Sequence, residues 1–178
     1  DTNAWAGVFI DPLNGALDLS PYETENGYLV MDVWSSMALS ASNCGANANF
    51  RFHLHSGDNE KYWEKKFADG FSLKEGWNQI VLPFKELIVA SDADLSNIDR
   101  TRLFVDTGVE LNYELAVDNI RVTPSVKLTE QVFFGFEKST ELNVAPISPN
   151  VAIAFKSDHV TEGNQSLSLT IADTNAWA

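Results

Sequence analysis

Between residues 49 and 55 the side chains alternate without a break: Phe50, Phe52 and Leu54 fall on one side, Arg51, His53 and His55 on the other. A period of two suits an extended strand with one apolar face and does not suit a helix. The pattern recurs. Leu29, Met31 and Val33 share a face and leave Asp32 and Trp34 on the other; Leu103 and Val105 oppose Arg102, Phe104 and Asp106. Further strand patterns cover 4–10, 78–82, 113–122, 132–137, 151–155 and 166–171. Turn residues separate them, among them Asp11-Pro12, Asn14-Gly15, Ser56-Gly57-Asp58-Asn59 and Gly163-Asn164. Helical patterns are confined to two short stretches, 61–67 and 84–88. Many short strands with regular turns predict an all-β fold, an antiparallel β-sandwich.

The sandwich has material for a core: 44% of the 178 residues are hydrophobic, including 11 Phe and 5 Trp, which excludes a disordered chain. The net charge of -13 argues against nucleic acid and anionic membrane surfaces as partners. No run approaches the roughly 18 apolar residues of a membrane span, so membrane insertion is not expected. Cys44 is the single cysteine, which excludes an internal disulfide and reads as an inert residue.

Asp-Thr-Asn-Ala-Trp-Ala occurs at positions 1–6 and again at 173–178. An identical hexapeptide at both ends reads as one period of a tandem repeat cut inside a folding unit. The expected organisation is therefore a single module, 1–178. Residues 1–122 form its main part, 123–132 a linker, and 133–178 the module's first strands in circularly permuted order. Those strands either fold back on their own chain or complete the next copy by strand exchange, and a head-to-tail exchange propagates into a filament unless it closes. The two hexapeptides then compete for one strand position.

In permuted order five segments form a series: Phe134-Gly135-Phe136-Glu137; Val160-Thr161-Glu162-Gly163-Asn164-Gln165-Ser166-Leu167-Ser168-Leu169; Leu17-Asp18-Leu19-Ser20-Pro21-Tyr22; Gly76-Trp77-Asn78-Gln79-Ile80-Val81-Leu82-Pro83; and Leu115-Ala116-Val117-Asp118-Asn119-Ile120-Arg121-Val122. Taken together they resemble bacterial jelly-roll carbohydrate-binding modules of the galactose-binding-like type, over nearly the whole chain. The resemblance implies a non-catalytic module of a secreted or cell-surface bacterial protein that binds polysaccharide. It also implies a structural Ca²⁺ held by Glu137 and Asp118, with Lys138, Gly163 and Asn164 as oxygen donors. Two carboxylates and several carbonyls suit a hard cation that takes six to eight oxygens. The alternative for Glu137 and Asp118 is an edge position, solvated or ion-paired.

The alternation itself offers a ligand face. If the strands carrying Trp34 and Asp32, Arg51, His53 and His55, and Asp106 are neighbours, these residues share one surface. The resemblance gives such a surface its chemistry: an indole stacks on a sugar while Arg and Asp bond its hydroxyls. Trp34 packed under a loop is the other reading. His53 and His55 share a strand face and suit zinc or copper, but no third ligand is evident nearby in sequence. Trp5 and Trp77 read as core. Tyr62 and Trp63 read as loop residues after His55, one of them exposed. No nucleophile elbow or metalloprotease helix is present, so an enzyme is not expected. The rival function is structural: a spacer repeat of an adhesin stalk or a strand-exchanging filament subunit, with no sugar ligand.

Overall fold

The computed structural model describes residues 4–12, 14–23, 27–88, 93–109, 111–124, 131–137, 142–147, 151–161 and 163–171. The described strands are β1 (Ala4–Pro12), β2 (Gly27–Ser35), β3 (Asn49–Ser56), β4 (Asn59–Lys66), β5 (Gly76–Pro83), β6 (Arg100–Thr107), β7 (Tyr113–Pro124), β8 (Gln131–Phe134), β9 (Leu142–Pro146), β10 (Val151–Lys156) and β11 (Ser166–Ile171). Two short helices, α1 (Ala41–Cys44) and α2 (Phe84–Ile88), join them. None of the described helices is long and apolar enough to cross a membrane.

The strands form two sheets in which every described pairing is antiparallel. The first has the order β4-β3-β6-β1-β9; the second has the order β10-β11-β7-β2-β5, with β8 also paired to β7. The alternating residues face each other across the interior. Phe50, Phe52, Leu54, Leu103 and Val105 come from one sheet and Leu29, Met31, Val33, Val117 and Leu167 from the other, all buried in one cluster. Burying each such side chain stabilises the fold by roughly 1.5–3 kcal/mol. The all-β sandwich expected from the pattern is therefore the architecture found.

Three local expectations need correction. Residues 61–66 are not helical: 59–66 form β4, folded onto β3 through a turn in which Gly57 has φ 63°, and only at Phe67 does a short 3-10 turn, Phe67–Asp69, begin. A tight turn with a left-handed glycine places Tyr62 beside His53 and Trp63 beside Phe52. That ladder overrides the helix-forming lysines and glutamates of 59–66. Trp63 is consequently buried while Tyr62 is exposed. The linker is shorter than 123–132, because β7 runs to Pro124 and β8 starts at Gln131. A strand at Leu142–Pro146, which no alternation marks, extends the first sheet beyond β1.

The strands after residue 130 join both sheets of their own chain: β9 pairs with β1, and β11 with β7. Within β7 the partner changes. Residues 113–117 pair with β11 and 120–122 with β8, and Asn119, at φ 51°, stands at the changeover. Ala4, Trp5 and Ala6 of the first hexapeptide begin β1, opposite Thr107, Asp106 and Val105. The second hexapeptide lies outside the described residues.

Candidate functional site

The outer face of the first sheet carries a continuous band of rings and charges. Cross-strand register builds it row by row. Arg51 stands between Glu64 and Phe104, His53 between Tyr62 and Arg102, and His55 between Glu60 and Arg100. On β1, Gly7 faces Phe104 and Phe9 faces Arg102, and Asp11 just beyond accepts from the Arg100 guanidinium.

The cations lie over the rings. The Arg51 guanidinium sits 5.1 Å from the Phe104 centroid, and Arg100 and Arg102 sit 4.8 and 5.0 Å from that of Phe9. Carboxylates then fix Arg51 and Arg100. Arg51 Nε lies 2.7 Å from Glu64 and its Nη2 3.8 Å from Asp106, while Arg100 donates two bonds to Asp11 at 2.8 and 2.9 Å. Gly7 makes room for this layer: a Cβ there would fall 2.2 Å from Phe104 Cβ and 2.6 Å from the Leu103 carbonyl oxygen.

Beneath the band, His53 and His55 point outward but are covered. Their relative exposures are 5% and 9%. The His53 ring is 5.0 Å from Tyr62 and 5.3 Å from Phe104, centroid to centroid. His53 Nδ1 lies 2.7 Å from Glu60 Oε2 and donates to that carboxylate, which leaves Nε2 as the bare nitrogen of the neutral ring. His53 Nε2 and His55 Nε2 are both buried without a hydrogen-bond partner.

Burial pushes His53 down to about 4, with Glu60 pulling the other way and Arg102 and His55 adding to the fall. Burial lowers His55 as well, against the pull of Glu60. Burial also works to raise Glu60, but His53, His55 and Arg102 outweigh it and hold its carboxyl below the usual range. The sign for stability follows. A histidine whose folded pKa is depressed contributes fully above its unfolded value and loses that contribution as pH falls through the window from 6.5 toward about 4. Denaturant unfolding is expected to show stability falling by about 2 kcal/mol for His53 alone between pH 7.5 and 5. His53→Gln is expected to flatten that slope; an unchanged slope in the variant would contradict the assignment.

Two depressions open on this face. One, of about 240 Å³, is lined by Arg51, Arg102, Phe104 and Asp106. There burial pushes the Asp106 carboxyl up, opposed by Arg51. The other, of about 300 Å³, is lined by His55, Gly57, Asp58, Asp99 and Arg100. A larger groove of about 440 Å³ runs between β4 and β5, past Trp63, Phe71, Lys65 and Lys74. Its only titratable side chains are those two lysines, whereas the smaller pair border the interlocked Arg, His and carboxylate groups.

Of the expected ligand residues, Arg51, His53, His55 and Asp106 share this face. Trp34 and Asp32 do not, because β2 lies in the second sheet between β7 and β5. Alternation tells which side of a strand a residue takes but not which strands are neighbours. Trp34 is stacked on His159, with centroids 3.6 Å apart and planes at 16°. Trp77 is its cross-strand partner and is half-buried on the outside of the sheet, not core. Asp32 is tied to Arg121 at 3.0 Å, Asn119 Nδ2 at 3.2 Å and Gln79 Nε2 at 3.3 Å.

The residues expected at calcium gather around the turn before β11. Asp118, fully buried, accepts from the Thr161 amide at 2.6 Å, the Thr161 hydroxyl at 2.8 Å and the Asn119 amide at 2.8 Å. Glu137 accepts from the amides of Asn164 at 2.7 Å and Gln165 at 3.3 Å. Gly163, at φ 74°, is closed against Glu137: a Cβ would fall 2.1 Å from its carboxyl carbon. Lys138 lies outside the described residues. Both carboxylates thus grip one turn, as a calcium clamp would, but they meet its N–H groups rather than its carbonyls. Asn119 Oδ1 is buried without a hydrogen-bond partner.

No protein-family model matches this chain, and neither a curated protein nor a solved structure is significantly similar to it.

Glu60, Tyr62 and Phe9 belong to the face and escaped sequence reasoning. Reading Gly57-Asp58 as a two-residue hairpin turn places Glu60 opposite His55 and Tyr62 opposite His53, so the signal was present for two of the three.

Proposed function

We propose that this chain is a non-catalytic polysaccharide-binding module of a secreted or surface-attached bacterial protein, built as a jelly roll in permuted strand order. The observation that carries the reading is the depression over Phe104, where Arg51, Arg102 and Asp106 converge on an aromatic floor. The Phe104 ring, buried beneath the Arg51 guanidinium, holds that cation in place, and a guanidinium beside a carboxylate offers donors and acceptors to vicinal hydroxyls. Arg51, Arg100 and Arg102 are matched locally by Glu60, Glu64, Asp106 and Asp11, which favours an uncharged glycan over an anionic one. In this reading His53 and His55 support the floor from below, and Trp34 and Asp32 hold the second sheet.

Calcium is part of the same proposal. Asp118 and Glu137 would hold it, with oxygens from Gly163, Asn164 and Lys138. Its role would be to lock the 161–165 turn onto β7, a junction already built around those two carboxylates.

A glycan array probed with the wild-type chain is the test. Binding to a neutral polysaccharide supports the proposal, and silence on every glycan sinks it. The duplicated hexapeptide favours the rival, a structural repeat that exchanges strands with its neighbours. A monomeric mass in solution would count against that rival, and a concentration-dependent series of oligomers would support it.

A further inference from the structure

We propose that His53, His55 and Glu60 form a site for a divalent transition ion of the zinc class on the outer face of the first sheet, with one coordination position open toward the depression beside His55. The hairpin turn at Gly57 supplies what the sequence withheld, a third ligand. Glu60 lies opposite His55 in the β3–β4 register.

The distances suit a small tetrahedral ion. One ligand atom from each of the three residues lies within 4.8 Å of the other two. Glu60 Oε2 is 2.7 Å from His53 Nδ1 and 3.2 Å from His55 Nε2. Bonds of about 2.0–2.1 Å at tetrahedral angles place neighbouring ligand atoms about 3.3 Å apart. Admitting the ion requires opening the short edge by about half an ångström and bringing the two imidazole nitrogens, which lie within 4.8 Å of each other, to the same spacing.

Two further observations point to a ligand. His53 and His55 are both buried, and His55 Nε2, the atom 3.2 Å from Glu60 Oε2, makes no hydrogen bond; on the other histidine Nδ1 would give up its proton to ligate, and the neutral ring would carry it on Nε2. A buried polar atom left unpaired forfeits its hydration without return, so its persistence asks for a partner. There is also a way in. His55 lines the depression of about 300 Å³ together with Asp58 and Asp99, carboxylates that attract a cation, and Arg100, whose charge is engaged by Asp11; it leaves space for a water or a ligand oxygen in the fourth position.

Against the ion stands Arg102, whose Nη1 is 4.0 Å from Glu60 Oε2. At that distance it is a weak competitor for the carboxylate, and its guanidinium already rests on Phe9. Two imidazole nitrogens favour zinc-class ions over calcium, which takes oxygens. The site is separate from Asp118 and Glu137, which lie on the second sheet and the loops beside it. It stands or falls independently of any glycan.

The experiment is a titration of the chelator-treated chain with Zn²⁺ in the presence of excess Ca²⁺, followed by calorimetry. One ion per chain is expected. Glu60→Gln and His55→Gln are each expected to weaken binding by about 10- to 100-fold or more. His159→Gln, at the remaining histidine, in the loop between β10 and β11, and Glu137→Gln are expected to leave it unchanged. Binding by the wild type no tighter than by the His53→Gln/His55→Gln double variant would overturn the proposal, as would an equal loss in His159→Gln. Should the histidine variants fail to fold, Co²⁺ bound to the wild type decides. Intense visible bands of a four-coordinate ion support the site; the pale spectrum of aqueous cobalt rejects it.

Discussion

Asp118→Ala is expected to cost the fold about 3–5 kcal/mol, a large part of the 5–15 kcal/mol that holds a typical domain together. The carboxylate has no exposed surface and receives the amides of Thr161 and Asn119 and the Thr161 hydroxyl. Alanine leaves those donors facing a buried gap. The loss is structural as well as local, because Asp118 stands where β7 exchanges β11 for β8 as its neighbour. Asp118→Asn is expected to rescue only part of it, since one side of the amide would turn N–H toward an N–H donor. For a chain of this size the melting temperature of Asp118→Ala should fall by roughly 10 °C. Calcium is read in the same assay. If the ion joins Asp118 to Glu137, a chelator lowers the wild-type melting temperature and leaves Asp118→Ala unmoved. A wild type indifferent to chelator removes calcium from the account while leaving the hydrogen-bonded clamp intact.

Phe52→Ala is expected to be as damaging, by about 3–5 kcal/mol and again roughly 10 °C in melting temperature. Phe52 is fully buried at the centre of β3, between Trp63 of β4 and Leu103 of β6. Its removal leaves a cavity walled by the neighbouring strands, which cannot close without disturbing the ladder that positions His53 on the opposite face. Phe52→Leu keeps most of the volume and is expected to cost less than about 1.5 kcal/mol. Denaturant unfolding of the pair at one pH checks both; similar losses for leucine and alanine would show that ring-specific packing, rather than the cavity, dominates.

Period-two alternation made the interior legible. Phe50, Phe52, Leu54, Leu29, Met31, Val33, Leu103 and Val105 are all buried where the pattern put them. It also turned Arg51, His53, His55 and Asp106 outward together. It could not say that β2 belongs to the other sheet, because adjacency is decided by hydrogen bonding between strands far apart in sequence. Trp34 therefore moved from the ligand face to a stack on His159, 125 positions away. Glu60 was hidden for a different reason. The charged stretch around it resembles a short helix until the Gly57 turn is recognised as the bend of a hairpin. Burial of His53 and His55 was equally invisible, since it depends on Tyr62, Phe104 and the arginines closing over them.

The central claim is that ligand meets the outer face of the first sheet and not the second. Calorimetric titration with the strongest glycan from the array, comparing Arg51→Ala with Trp34→Ala, tests it most directly. Arg51 is a half-exposed member of the Phe104 depression, and losing its charge-assisted hydrogen bonds is expected to weaken binding by about 10- to 100-fold. Trp34→Ala is expected to leave the affinity nearly unchanged. Full binding by Arg51→Ala together with its loss in Trp34→Ala would contradict the account and move the site to the other side of the sandwich.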